Sequence, residues 1–244
     1  MKINSKAILG SAIVGSIIVI AFAAMTGGLA TPLFPLLSMM SGFVFAGALY
    51  GYLSEGETVI EPLFAALITA IVSYFAIMVL QPRAFSVEGV NFALVIAYMN
   101  GMVLSLAGAW VGEKLQLTYH EGEGQFEWGW VFAGIMMGLA VSLLLAALVI
   151  VIAGLYQTYV LITLSGGLLV TGFICAFRSP GDTMKEAAIS GFITAVILLD
   201  VFVLALDSDG TFLTFGTVLL CLGLGTVTAM LGGFVGERVQ GSAA

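Results

Sequence analysis

The sequence predicts an all-α integral membrane protein of eight transmembrane helices, arranged as two parallel four-helix repeats. Three observations predict it. Hydrophobic residues make up 61% of the 244 residues and charged residues only 9%, against about 25% charged in a soluble domain. The chain therefore lacks the polar atoms to coat a water-facing surface. Mean hydropathy is +1.16, and apolar runs recur at the length a bilayer needs, roughly 20 residues for a hydrocarbon core about 30 Å thick. Finally, the second half of the sequence echoes the first.

The apolar runs cover residues 7–25, 33–53, 60–80 and 92–111, then 130–153, 155–177, 187–206 and 212–235. A helix in lipid is apolar all round, so length rather than periodicity identifies these spans. Turn-rich segments separate them at 26–32, 54–59, 81–91, 113–129, 179–186 and 207–211. The link at Gly154 is the shortest, which leaves a kinked or re-entrant pair open for the fifth and sixth spans. Eight helices is the reading adopted. The first run follows Lys2 and Lys6 and ends near Ala21-Phe22-Ala23, so it has the outline of a signal peptide. The internal repeat argues for keeping it as a helix, because Gly10 finds a partner in Gly134 of the fifth run.

The repeat is specific. Gly108-Ala109-Trp110-Val111-Gly112-Glu113-Lys114 returns as Gly232-Gly233-Phe234-Val235-Gly236-Glu237-Arg238, an offset of 124, and Gly101 maps onto Gly225. Ser54-Glu55-Gly56-Glu57-Thr58 with Glu61 returns at offset 125 as Ser179-Pro180-Gly181-Asp182-Thr183 with Glu186. At that offset Gly42 and Gly47 match Gly167 and Gly172, and Ile68-Thr69-Ala70 matches Ile193-Thr194-Ala195. The expected repeats are residues 1–120 and 121–244. An even number of spans in each brings both halves in from the same side, so the repeat is parallel rather than inverted. Lys2, Lys6, Lys114, Arg178, Lys185 and Arg238 fall on the side of the N-terminus and only Arg83 on the other. This positive-inside bias puts both termini in the cytoplasm, with the protein in the cell (inner) membrane. Phe126-Glu127-Trp128-Gly129-Trp130 adds an aromatic anchor where the second half begins.

Four constellations carry chemistry or packing. The repeated loop gathers Glu55, Glu57, Glu61, Asp182 and Glu186 on one side, which reads as a cation site, as helix capping or as a surface that docks a partner. Capping is favoured, because Thr58-x-x-Glu61 and Thr183-x-x-Glu186 are T-x-x-E boxes directly ahead of apolar runs. The acids also sit at the positive ends of the helix dipoles. Glycines form the second set: Gly47 and Gly51, Gly101, Gly108 and Gly112, and Gly225, Gly232 and Gly236, with Gly134 and Gly138. Small residues four or seven apart let helix backbones approach closely where lipid offers no hydrophobic gain. They are expected to pack the two halves against each other, with an oligomer interface as the other reading.

Asp200 is the one carboxylate deep in a span. It lies fourteen residues beyond Glu186, about 21 Å at about 1.5 Å per residue, in the outer half of the bilayer. A carboxylate there costs about 2.5–3.5 kcal/mol on insertion scales and is by default a functional hypothesis. Asn100 reaches a comparable depth, about 13 Å in from Asn91, and Thr217, Thr214 and Tyr98 are further candidate partners. Asp200 serves an ion or proton path if it faces the bundle interior. Otherwise it reaches toward the outer interface, or is a polar clip locked to a neighbouring Asn or Thr. Phe75 stands at its place in the first half, so symmetry does not demand an acid.

The fourth set argues against catalysis. Cys175 and Cys221 lie in apolar runs without C-x-x-C spacing, and His120 has no second metal ligand at usable distance. There is no H-E-x-x-H, G-x-S-x-G or P-loop, so no enzyme, metal or cofactor is expected. The net charge of −7 without a basic stripe excludes nucleic-acid binding.

The opening Lys2-Ile3-Asn4-Ser5-Lys6-Ala7-Ile8-Leu9-Gly10 resembles the N-W-K-A-x-x-x-G start of small, glycine-rich prokaryotic membrane proteins of unknown function. Their glycine-rich second helix is similar to residues 41–53 here. This chain departs by having Ser5 where an aromatic is usual and by carrying the unit twice. The resemblance covers about half the chain, implies a four-helix domain and transfers no site residues. Together these readings point to a non-catalytic structural or accessory subunit whose partners are the lipid bilayer and other membrane subunits or a second copy. The alternative is a small transporter or proton-conducting protein built on Asp200. Such a protein should gather broken helices and polar groups near the midplane, and only Asp200 and Asn100 qualify.

Overall fold

A computed structural model describes residues 4–26, 33–54, 60–81, 89–116, 126–153, 157–179, 183–206 and 214–243. The described residues form eight helices: α1 (Ser5–Thr26), α2 (Leu33–Leu53), α3 (Glu61–Leu80), α4 (Val90–Gln116), α5 (Trp128–Ala153), α6 (Gln157–Arg178), α7 (Thr183–Leu206) and α8 (Phe215–Ala243). Seven are long and apolar enough to cross a membrane, and the described apolar stretch of α6, Ile162–Phe177, falls short of that length. Phe64, Ile71, Phe75, Phe92, Val103, Phe215 and Val227 are exposed on these helices. Side chains of this kind all along a helix are met by lipid, so the protein is an all-α, multi-pass membrane protein.

The chain divides into two compact units, Met1–Leu117 and Thr118–Ala244. In the first, α2 packs most extensively on α4, and α1 on α2 and α3, with α3 also against α2 and α4. In the second, α6 packs most extensively on α8, and α5 on α6 and α7, with α7 also against α6 and α8.

Glycine explains the two tightest pairs. A Cβ on Gly47 would strike the Ser105 carbonyl oxygen, and one on Gly51 that of Ala109. In return a Cβ on Gly108 would strike the Val44 carbonyl oxygen, and one on Gly112 that of Ala48. The backbones of α2 and α4 thus approach until only hydrogen fits between them. Between α6 and α8, Gly172 lies against the Ala229 carbonyl and Gly232 against that of Leu169. A Cβ on Gly236 would sit 2.9 Å from the Phe173 oxygen. Gly101 lies under the Phe43 ring, and Gly225 against Ala195 and Leu168. The expectation that these glycines join the two halves is therefore corrected. Each set is buried inside its own unit, because its carbonyl partners sit on the neighbouring helix of that unit.

A cation–aromatic pair lies near the C-terminal end of α4 and another near that of α8. Lys114 Nζ lies 5.4 Å from the Trp110 ring centre and Arg238 Cζ 4.3 Å from that of Phe234.

Candidate functional site

Asp200 is exposed on α7, on one outward stripe with Lys185, Ile189, Phe192 and Val196. Spacings of three and four residues put these side chains on a single helix face. Opposite that face lie Glu186, Ser190, Thr194 and Leu198, all buried. Asp200 therefore faces away from the core of its unit. Among the described residues no hydrogen bond or ion pair engages its carboxylate.

The other two members of the expected polar site are engaged by neighbours close in the chain. Asn100, exposed on α4 of the first unit, donates from Nδ2 to the Ile96 carbonyl one turn back, 2.9 Å away. Thr217 belongs to the start of α8: its N–H donates to Thr214 Oγ1 at 3.2 Å, and the two hydroxyls are 2.8 Å apart. Thr214 immediately precedes α8, so this is an N-terminal cap. Tyr98 is buried, with its hydroxyl 3.2 Å from Ser73 Oγ. Each of these hydroxyls and the Asn100 amide has a local partner of its own.

Buried hydroxyls inside the spans mostly turn back onto their own helices. Ser11 donates to the Ala7 carbonyl at 2.7 Å, Ser16 to that of Ala12 at 2.7 Å and Ser73 to that of Thr69 at 2.6 Å. Thr69 is an exception, reaching from α3 to the Ala12 carbonyl of α1 at 3.3 Å. Bonds of this kind neutralise polar atoms in lipid, while the Ser38, Ser142 and Thr194 hydroxyls are buried without a hydrogen-bond partner among the described residues.

The carboxylates at the Ser54 and Ser179 ends depart from the expected capping boxes. Helix α3 begins at Glu61 with Ile60 at its N-cap and no side-chain cap bond, and Thr58 lies outside the described residues. Glu61 is thus the first helical residue rather than the third, too early for the box. It is 3% exposed, and Oε2 instead accepts from Tyr50 Oη at 3.0 Å. In the second unit Thr183 is already helical and its hydroxyl bonds the Glu237 carboxylate. Glu186 is wholly buried, with Oε1 accepting the Glu127 N–H at 2.6 Å and Oε2 the Ser179 hydroxyl at 2.7 Å. Glu127 directly precedes α5, so Glu186 caps a helix other than its own. Fifty-nine residues separate donor and acceptor, a pairing that no local motif announces.

Sequence reasoning also misses the Cys175 thiol, which reads there as a small hydrophobe. It is fully buried on α6, 3.2 Å from the Trp130 carbonyl and 3.1 Å from Ser190 Oγ. It ties α5, α6 and α7 together. No group of three or more His, Cys, Asp and Glu among the described residues could hold a metal ion. The chain matches no protein-family model, no curated protein and no solved structure.

Proposed function

We propose that this chain is a non-catalytic structural or accessory subunit of a membrane assembly, spanning the bilayer eight times as two parallel four-helix repeats, residues 1–120 and 121–244. Both termini are cytoplasmic on this reading, and the repeat unit is the one carried singly by the small glycine-rich proteins it resembles. The observation that carries the function is the place of Asp200: the one carboxylate deep in a span lies on an exposed helix face, apart from the buried hydroxyls. An ion path needs the reverse arrangement. The repeat reading is supported by matched helix pairs in the two units and by equivalent glycine-to-carbonyl approaches on α2·α4 and α6·α8.

Purification from native membranes in mild detergent, with mass spectrometry of intact complexes, tests the subunit reading. A membrane partner at constant stoichiometry is the expected result. Proteoliposomes of the chain alone should pass no more protons or monovalent cations than empty vesicles. Flux that Asp200→Asn abolishes, in a variant with unchanged melting temperature, would establish the transporter class instead.

A further inference from the structure

We propose that the outward face of α7 docks one partner membrane helix, and that this helix carries an arginine or lysine level with Asp200. The proposal rests on the accessory-subunit reading and gives the partner its chemistry. The matching face of α3 in the first unit is Phe64, Leu67, Ile71 and Phe75, all exposed and all apolar. Lipid satisfies it completely. On α7 the corresponding residues are Ile189, Phe192, Val196 and Asp200, and lipid cannot satisfy the last.

Depth decides why. Helix α7 has 24 residues, about 36 Å at about 1.5 Å each, against a hydrocarbon core about 30 Å thick. Asp200 is six residues before Leu206, about 9 Å from the helix end. In a centred helix it lies about 6 Å inside the hydrocarbon. Lysine and arginine cross such a depth on their long stems, but aspartate has a single methylene. A counter-charge on a facing helix is one of the partners that intramembrane carboxylates take. Its own unit cannot supply one at this end, because no Lys or Arg occurs between Glu186 and Glu237. Ile189, Phe192 and Val196 then give the partner an apolar track along which to pack, and the Asp200 pair sets its register.

The test uses the full chain in phosphatidylcholine vesicles with synthetic leucine-rich spanning peptides, association being read by energy transfer. A peptide bearing one arginine about two turns from its end should bind about tenfold more tightly than its all-leucine control. Asp200→Asn, checked for an unchanged melting temperature, should bring the two peptides level. Asp200→Arg should transfer the preference to an aspartate-bearing peptide. Equal binding of the arginine and leucine peptides to the unmodified chain would overturn the proposal and leave Asp200 to the headgroup layer. Binding that needs Arg83→Gln would also overturn it, since the chain's own arginine would then hold the carboxylate. A native partner that co-purifies equally with the Asp200→Arg chain would overturn this docking face while leaving the accessory reading intact.

Discussion

In each unit the most extensive helix pair is joined by glycines set against carbonyls, α2·α4 in the first and α6·α8 in the second. The buried carboxylates Glu61 and Glu186, by contrast, are held in different ways. Position 50 in the first unit is Tyr and its counterpart in the second is Cys175. The Tyr50 phenol spans the gap to Glu61 at 3.0 Å. A thiol is too short for that, and Cys175 turns to Ser190 and the Trp130 carbonyl instead. Glu186, lacking a phenol, takes Ser179 and the first amide of the α5 end. The difference teaches that backbone approach sets the scaffold, while side-chain partners at its ends can be rerouted. On the proposed repeat the same freedom extends to the exposed side, where Phe75 and Asp200 occupy corresponding sequence positions.

The scaffold can be broken most severely at its glycines. Gly108→Leu and Gly232→Leu should each cost about 3 kcal/mol or more, because a backbone carbonyl cannot yield as a side chain can. Gly236→Leu should cost less, since the facing carbonyl stands back at 2.9 Å from the place a Cβ would take. Wild-type yield and melting temperature in both severe variants would remove close approach as the cause of packing. Glu186→Ala comes next, at about 2–3 kcal/mol, since it strands a buried hydroxyl and the Glu127 amide together. Tyr50→Phe should cost about 1 kcal/mol, one hydrogen bond. Equal losses of thermal stability for these two would break the contrast between the ends.

Smaller effects sharpen it further. Gly134→Ala would push against Cys175 Sγ and the Thr171 carbonyl, whereas nothing lies within 4 Å of a Cβ at Gly10. The first should destabilise by about 1–2 kcal/mol. The second should stabilise by about 0.5–1 kcal/mol through helix propensity, an opposite sign at matched positions that detergent melting curves can read. Asp200→Leu should stay within about 0.5 kcal/mol of the unmodified chain, having no described partner to strand. Topology needs no stability change at all. Ser54 and Ser179 are buried, so cysteines at exposed Gln116 and Lys185 are the better probes of the side proposed to be cytoplasmic. They should resist impermeant reagent in intact cells, while Ser86→Cys and Ser208→Cys react. Labelling at Lys185 from outside would overturn the parallel, positive-inside arrangement.

Helices were legible because lipid requires long apolar runs and the loops hold nearly all the charge. The boundaries of α2, α5 and α7 fall within a few residues of those runs. The glycine spacings marked which faces approach closely, yet not which helix they meet: nothing in Gly108-x-x-x-Gly112 distinguishes α2 of the same unit from the other half of the chain. The T-x-x-E boxes failed for a physical reason. Their spacing is right, but α3 starts at Glu61 with no side-chain cap bond, and Glu186 takes the Glu127 amide and the Ser179 hydroxyl. Asp200 was legible as a residue needing explanation, and its outward direction was not, because a helix apolar all round gives no moment from which to orient it.

The Glu186 bond also has a consequence for biosynthesis. Tyr50 and Glu61 are eleven residues apart and emerge from the ribosome almost together. Glu127 and Glu186 are separated by 59, about 3–12 s of synthesis at roughly 5–20 residues per second. Helix α5 therefore inserts and waits with the Glu127 amide lacking its carboxylate until α7 has begun to leave the exit tunnel. The first unit can seal its end as a local hairpin, whereas the second seals only when its third helix arrives.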